Sequence, residues 1–327
     1  MITQSSESIA SVVQIPDDNI ADIGNYKSNS LWRLTLRRLF RQRSAQVGMV
    51  MLGLLVFTAV FAPMIAPYDP ARVIEDANGR IKVRQPPCIH LLGCPTDQSQ
   101  HIFGTDGNGR DQFSRILYGA RVSLRIGVTV ITAAVLVGTV IGAIAGYAGG
   151  WLDNLLMRGM DIILAFPFFL LAIALVFVLG PSLENAMVAI AIVSVPTYAR
   201  VVRATVLSLR ETDYVEASRA LGASSWRILF ARILPNALPP LIVLATLGIA
   251  TAILDTAALS FLGLGAQEPT AEWGTMLGRE RNQIFSAPHL VLIPGIAISI
   301  TVLAFNLLGD GLRDALDPRL VHGKGIK

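Results

Sequence analysis

Two stretches hold the side chains whose types and spacing could do chemistry. Cys88 and Cys94 are separated by five residues, with His90 between them and His101 following. Thiols and imidazoles are zinc ligands, but a structural zinc site takes four ligands, and the C-x-H plus C pattern leaves the fourth undefined. An oxidising exterior would join cysteines this close. A disulfide is therefore preferred, with unpaired thiols and a metal site left open. The second feature is Asp255, set inside an apolar run. On translocon scales an Asp at mid-bilayer costs about 2.5–3.5 kcal/mol, so it should face a bundle interior. It is a candidate for a solute pathway or gate. The plainer alternative is a hydrogen bond to a hydroxyl such as Thr251 or Thr256.

Catalytic patterns are missing. The four lysines stand at 27, 82, 324 and 327, and none lies in a Gly-rich phosphate-binding loop; Lys27 precedes Ser28 without a glycine framework. There is no H-E-x-x-H helix and no G-x-S-x-G elbow. With four scattered histidines, no catalytic residue, resident metal or cofactor is expected.

Composition says what must position these residues. Of 327 residues, 53% are hydrophobic and 15% charged, against about 25% charged in a soluble domain. Aromatics make up only 7%, so the apolar excess is aliphatic. This excludes a disordered chain, a disulfide-rich scaffold and an ordinary soluble enzyme. The net charge of +4 reads as a topology signal rather than a nucleic-acid footprint.

A membrane-spanning helix needs about 20 apolar residues. Six stretches qualify, at 45–66, 122–147, 160–179, 183–206, 238–261 and 290–308. The expected fold is all-α, integral to the membrane, with six transmembrane helices. Forty-four residues precede the first span, which is too many for a signal peptide, so that span reads as a retained anchor. Arg33, Arg37, Arg38, Arg41 and Arg43 sit just before it, which puts the N-terminus in the cytoplasm by the positive-inside rule. Six crossings return the C-terminus there. Residues 1–44 read as a cytoplasmic tail whose basic segment 31–44 suits an amphipathic surface helix, or a simple orienting charge cluster. Residues 67–120 read as a long external loop, 121–310 as a five-helix core with a cytoplasmic loop at 207–235, and 311–327 as a cytoplasmic tail.

Within the core, Gly138, Gly142, Gly146 and Gly150 recur every four residues. They make a small-residue face against which another helix can pack closely. Pro167, Pro196 and Pro294 interrupt three spans. Each removes a backbone donor and can kink its helix, as expected of a moving, pathway-forming bundle.

The most informative segment is ETDYVEASRALGASSWRILFARILP at 211–235. Asp213 with Glu216 predicts a capping box. Gly222 predicts a helix stop, and Ser224 or Ser225 can cap the next helix. The product is an amphipathic helix–glycine–helix, able to dock on a partner or to serve as a surface connector.

This segment resembles the EAA motif of ABC importer permeases: EAA, three residues, Gly, nine residues, I-x-LP. Glu216, Ala217, Gly222, Leu234 and Pro235 match; Ser218 replaces an alanine, and Arg232 the isoleucine. FGTDGNGRDQFSRILYGAR at 103–121, AGYAGGWLDNLLMRGMDIILAFP at 145–167, ALSFLGLGAQEPTAEWGTML at 258–277 and LAFNLLGDGLRDALDPR at 303–319 are similar to the C-type subunit of dipeptide/oligopeptide permeases. The similarity covers about residues 31–320. It implies a type I ABC importer permease fold in a bacterial cytoplasmic membrane. The implied partners are membrane lipid, a homologous B-type permease, two ATP-binding cassette subunits that hold ATP and Mg, and an external solute-binding protein. Tyr214, Glu216, Ala217, Gly222, Ala223, Leu234 and Pro235 would couple to the cassettes. Importers of nickel chelates, glutathione or other small solutes share these motifs. A secondary transporter would need ion-site carboxylates in broken helices, and Asp255 alone supports that thinly.

Overall fold

The computed structural model describes residues 37–75, 79–95 and 100–316. Residues 31–36 of the basic segment, the preceding tail and residues 317–327 lie outside the described residues.

Among the described residues, five helices are long and apolar enough to cross a membrane: α1 (Arg43–Ile65), α2 (Gln112–Ala148), α5 (Leu183–Arg210), the continuous run Ser225–Phe261, and α10 (Pro288–Leu316). Between α2 and α5 lie α3 (Gly150–Leu164) and α4 (Phe168–Leu179), bent by 90° from one another. The stretch expected as a span at 160–179, interrupted by Pro167, is thus broken into two helices. The break spans Ala165 to Pro167, and Pro167 begins α4 with an extended ψ of 129°. Proline steers the residue before it away from helix and cannot donate to the preceding turn. Pro196 and Pro294, by contrast, sit inside continuous helices.

Helix ends also shift. The second helix starts at Gln112, ten residues before the hydropathic run, because the Asp111 side chain accepts from the Ser114 backbone N–H and caps it. α10 continues to Leu316, into what hydropathy reads as a tail. Hydropathy marks where lipid begins, whereas caps mark where backbone hydrogen bonding stops.

The main seam joins α2 to α5. A Cβ at Gly138 would meet the Tyr198 Cβ and Val195 carbonyl, one at Gly142 the Ala199 carbonyl, and one at Gly146 the Arg203 carbonyl and Val206. Three of the four laddered glycines therefore make the close approach. Gly150 does not: α2 ends at Ala148, Gly149 and Gly150 both take positive φ, and no atom lies near a Cβ built on Gly150. The four-residue spacing runs past the end of the helix that gives it meaning. α1 packs outside this core on α10, where Gly48 faces Ala304 and Leu308 and Gly311 faces Ala45.

Ion pairs fix α3 to α5. Arg203 grips Asp153 through two bonds of 2.5 and 2.6 Å, and Arg200 bonds Asp161 at 2.6 Å. The fork of a guanidinium matches both carboxylate oxygens, which sets the angle between the helices as well as their contact.

Candidate functional site

At one end of the bundle the chain leaves α5 and forms α6 (Asp213–Ala220), then α7 (Ser225–Ile228). The expected capping box does not form. Thr212 is the N-cap, and Asp213 and Glu216 occupy the first turn, where their charge suits the helix dipole. Thr212 instead donates its hydroxyl to the Leu209 carbonyl. The stop is the one expected. Gly222 has φ +79°, its N–H bonds the Arg219 carbonyl at 3.0 Å, and the Ala223 N–H bonds the Ser218 carbonyl at 3.1 Å. These two bonds make a Schellman motif, which turns the chain and satisfies the last carbonyls.

Four anchors hold this element down: Val215, Ile228, Leu229 and Ile233 are buried. The last two belong to a π-helical turn, Leu229–Ile233, that leads into α8 (Leu234–Phe261). The turn explains Arg232. With five residues between hydrogen-bonded groups, Ile233 rather than position 232 faces inward, and Arg232 is exposed. Above these anchors the surface is apolar and open. Leu221 is 89% exposed, Trp226 68% and Phe230 55%. The Trp226 and Phe230 rings stack at 5.2 Å, four residues apart on one face. Tyr214 is partly exposed, and its hydroxyl accepts from Asn236 at 3.4 Å. Glu216, Ala217, Gly222 and Pro235 are exposed, and Ala223 and Leu234 are half-buried. Of these residues matched by sequence, four therefore lie at the surface and two at the edge of the core. The aromatic pair is an addition that the i, i+4 spacing of two rings could have signalled.

The opposite end is a polar cap. The segment expected as a long loop folds back through single antiparallel bridges, among them Val73–Arg110 and Cys88–His101. Cys88 and Cys94 are disulfide-bonded, with Cα atoms 5.4 Å apart. His101 is not near a metal cluster; its Nδ1 lies 3.0 Å from Asp111, and among the described residues no group of three potential ligands converges. Arg84 bonds Glu280 at 3.0 Å, Arg110 bonds Glu268 at 2.8 Å, and Arg115 reaches the Pro70 carbonyl at 3.0 Å. The first two bonds lash the cap to the 262–287 segment and the third ties it to α2; in that segment α9 (Trp273–Glu280) is capped by buried Glu272, which accepts from Gly274 and Thr275 at 2.8 Å. Burial raises the Glu272 carboxyl above its ordinary range, against the lowering effect of hydrogen bonds from the Gly274 and Thr275 backbone and the Ser260 and Thr275 side chains. Burial also raises Asp106, while the backbone N–H groups of Arg110 and Asn108 and the Arg115 charge pull it down. A cleft of 370 Å³ opens here between the end of α8 and α9, lined by Phe261, Leu262, Gln267, Arg279 and Arg281.

Between the two ends lies Asp255, half-buried on α8. The alternative of a hydrogen bond to Thr251 or Thr256 does not form. Both hydroxyls donate to carbonyls of their own helix, to Gly248 at 2.9 Å and to Ala252 at 2.8 Å. A hydroxyl inside a helix reaches the carbonyl three or four residues back more readily than a side chain beside it.

Comparison with known proteins agrees with this architecture. Residues 138–322 match the family described as binding-protein-dependent transport system inner membrane component. Residues 30–87 match the N-terminal TM domain of oligopeptide transport permease C. The chain is 48% identical over 295 residues to the dipeptide transport system permease protein DppC of Alkalihalophilus pseudofirmus, covering 90% of this chain and 92% of the relative. It is 48% identical over 278 residues to the di/tripeptide transport system permease protein DppC of Pseudomonas aeruginosa, covering 85% and 89%. It is 45% identical over 289 residues to the glutathione transport system permease protein GsiD of Escherichia coli, covering 88% and 91%. An inward-facing structure of the MetNI methionine ABC transporter superposes with a TM-score of 0.52 at 22% identity, covering 63% of this chain and 97% of that one; this likeness concerns the fold. A multi-pass helical bundle with the helix–glycine–helix at one end, matched over most of its length by such relatives, belongs to the binding-protein-dependent transport system inner membrane component family, the permeases of ABC importers.

Proposed function

We propose that this chain is one of two homologous permease subunits of an importer of di- and oligopeptides in a bacterial cytoplasmic membrane. Two ATP-binding cassette subunits bind and hydrolyse ATP with Mg, and an external binding protein delivers the solute. The observation that carries the coupling role is the 211–235 element: a short helix closed by Gly222, seated on buried Val215, Ile228, Leu229 and Ile233, presenting Leu221, Trp226 and Phe230 outward. An exposed apolar patch on rigid anchors is what a partner subunit docks against. Cassette closure would press on this element and, through the π turn, on α8. The identities to two dipeptide permeases support the peptide class, and the glutathione relatives support a second reading within small peptides. Purified complex in proteoliposomes, given its binding protein and ATP, should take up a labelled dipeptide; uptake of glutathione alone would favour the second reading.

Two expectations follow from the chain itself. Purified without partners, it should show no ATPase activity, since it lacks a phosphate-binding loop; vanadate-sensitive hydrolysis by the lone subunit would overturn the assignment. By the positive-inside rule, the basic residues before α1 support an external Cys88–Cys94 cap. After mild reduction, a membrane-impermeant thiol reagent should label this subunit in intact cells whose outer layers admit it. Labelling only after lysis of the cytoplasmic membrane would reverse the topology.

A further inference from the structure

One face of α8 is left open by the fold. Thr251, Leu254, Phe261 and Leu262 are exposed, and Asp255 and Ala258 are half-buried. Their spacing of three and four residues makes them a single stripe along the helix. The other face, with Ala252, Ile253, Thr256, Ala257, Leu259 and Ser260, is buried against the bundle. At its upper end the stripe runs into the polar cleft, because Phe261 and Leu262 line both. Asp255 lies six residues below Phe261, about 9 Å along the axis.

No hydrogen bond or ion pair reaches the Asp255 carboxylate among the described residues, and the neighbouring hydroxyls are committed to their own helix. By contrast, both acids of α3, Asp153 and Asp161, are paired with arginines of α5. A carboxylate without a partner inside a spanning helix cannot face lipid; it requires water or a cation. The continuity with the cleft supplies the water.

We propose that this stripe lines the solute path and that Asp255 accepts a cationic group of the solute, the α-ammonium of a peptide, on its way through. The assignment rests on the peptide reading above. The carboxylate serves as a transient counter-charge: it replaces part of the hydration shell of the ammonium while the apolar residues Leu254, Ala258 and Phe261 offer nothing to hold the rest of the solute. A single charge–charge contact on an otherwise weakly binding wall allows entry and exit.

The test uses the assembled importer. Cys88 and Cys94 are bonded to one another and are the chain's only cysteines, so Thr251→Cys adds its one reactive thiol. Thr251 is one helical turn from Asp255. Its reaction with a cationic methanethiosulfonate should exceed that with an anionic one, each normalised to a free thiol, by about three- to tenfold, the effect of a unit charge roughly 6 Å away at near-aqueous dielectric. Adding Asp255→Asn should abolish that preference. In uptake of a dipeptide with a free amino terminus, Asp255→Asn should lose about tenfold or more, while Asp255→Glu retains most of the rate and both variants assemble normally. An unreactive Thr251→Cys, a reagent ratio indifferent to Asp255, or Asp255→Asn uptake within about twofold of native each overturns the proposal. Loss of assembly in Asp255→Asn also overturns it, since that marks a subunit contact instead. Absence of dipeptide uptake by the unaltered importer is a failure of the peptide reading, visible without any variant.

Discussion

Gly222→Val is expected to cut solute uptake sharply while the amount of subunit in the membrane stays near normal. Gly222 sits at φ +79°, and a β-branched residue there pays a backbone penalty of about 1–2 kcal/mol. No atom lies near a Cβ built at this position, so nothing in the bundle has to move, and the strain is confined to the turn. It is relieved by breaking the two bonds that define the turn, Gly222 N–H to Arg219 and Ala223 N–H to Ser218. That redirects α7 and with it Trp226 and Phe230. A strain of this size lowers the population of the native turn by roughly 5–30-fold, and uptake should fall with it, as should retention of the ATP-binding subunits during purification. Gly222→Ala should fall between, since alanine pays the positive φ without the branched side chain. Glu216→Ala is the companion: Glu216 is exposed on α6, so any loss of uptake at normal abundance reports a contact with a partner. Near-native uptake per subunit for Gly222→Val would reduce the whole element to a passive connector.

Gly142→Leu has the opposite signature, with the subunit itself being lost. At Gly142 a Cβ would press on the Ala199 carbonyl, with the Arg203 N–H and the Val202 Cβ at 3.0 Å. The first two are backbone atoms of a helix that is held in turn by the Asp153–Arg203 pair, so it cannot yield locally. The two helices must separate along the Gly138–Gly142–Gly146 seam. Overpacking of a close-packed core costs about 1–3 kcal/mol when side chains can adjust, and here the obstacle is backbone, so the upper end or beyond is expected. Steady-state abundance should drop several-fold and the midpoint of heat-induced aggregation should fall. Gly53→Leu is the control, because nothing surrounds Gly53 on the same kind of apolar helix. Equal abundance of the two variants would mean that the glycine seam does not hold the bundle together.

Asp255 separates the two kinds of information most clearly. Its presence in an apolar run is a matter of residue type, and so is the expectation that it avoids lipid. Its lack of a partner is not: that depended on Thr251 and Thr256 turning to their own backbone and on α8 burying the face opposite to the acid. The six apolar stretches, the Gly222 stop and the absence of a phosphate-binding loop were all legible in the chain, because hydropathy and turn chemistry act within a few residues of their cause. The family likeness was legible for the same reason, as contiguous blocks.

What only the tertiary structure decided are the relations between segments distant along the chain. Arg84 finds Glu280, 196 residues away, and Arg110 finds Glu268 at 158, turning an expected loop into a fixed cap. The 90° break at Ala165–Pro167 follows an α3 that Arg200 and Arg203, 39 and 50 residues on from their partners, hold against α5. Gly150 falls off its ladder because the helix ends at Ala148, and Ile233 takes the place left by Arg232 because a π turn shifts the phase. Each of these turns on which helix faces meet. Periodicity in a sequence names a face but not its neighbour, since the free energy that selects the neighbour comes from packing and pairing across the fold.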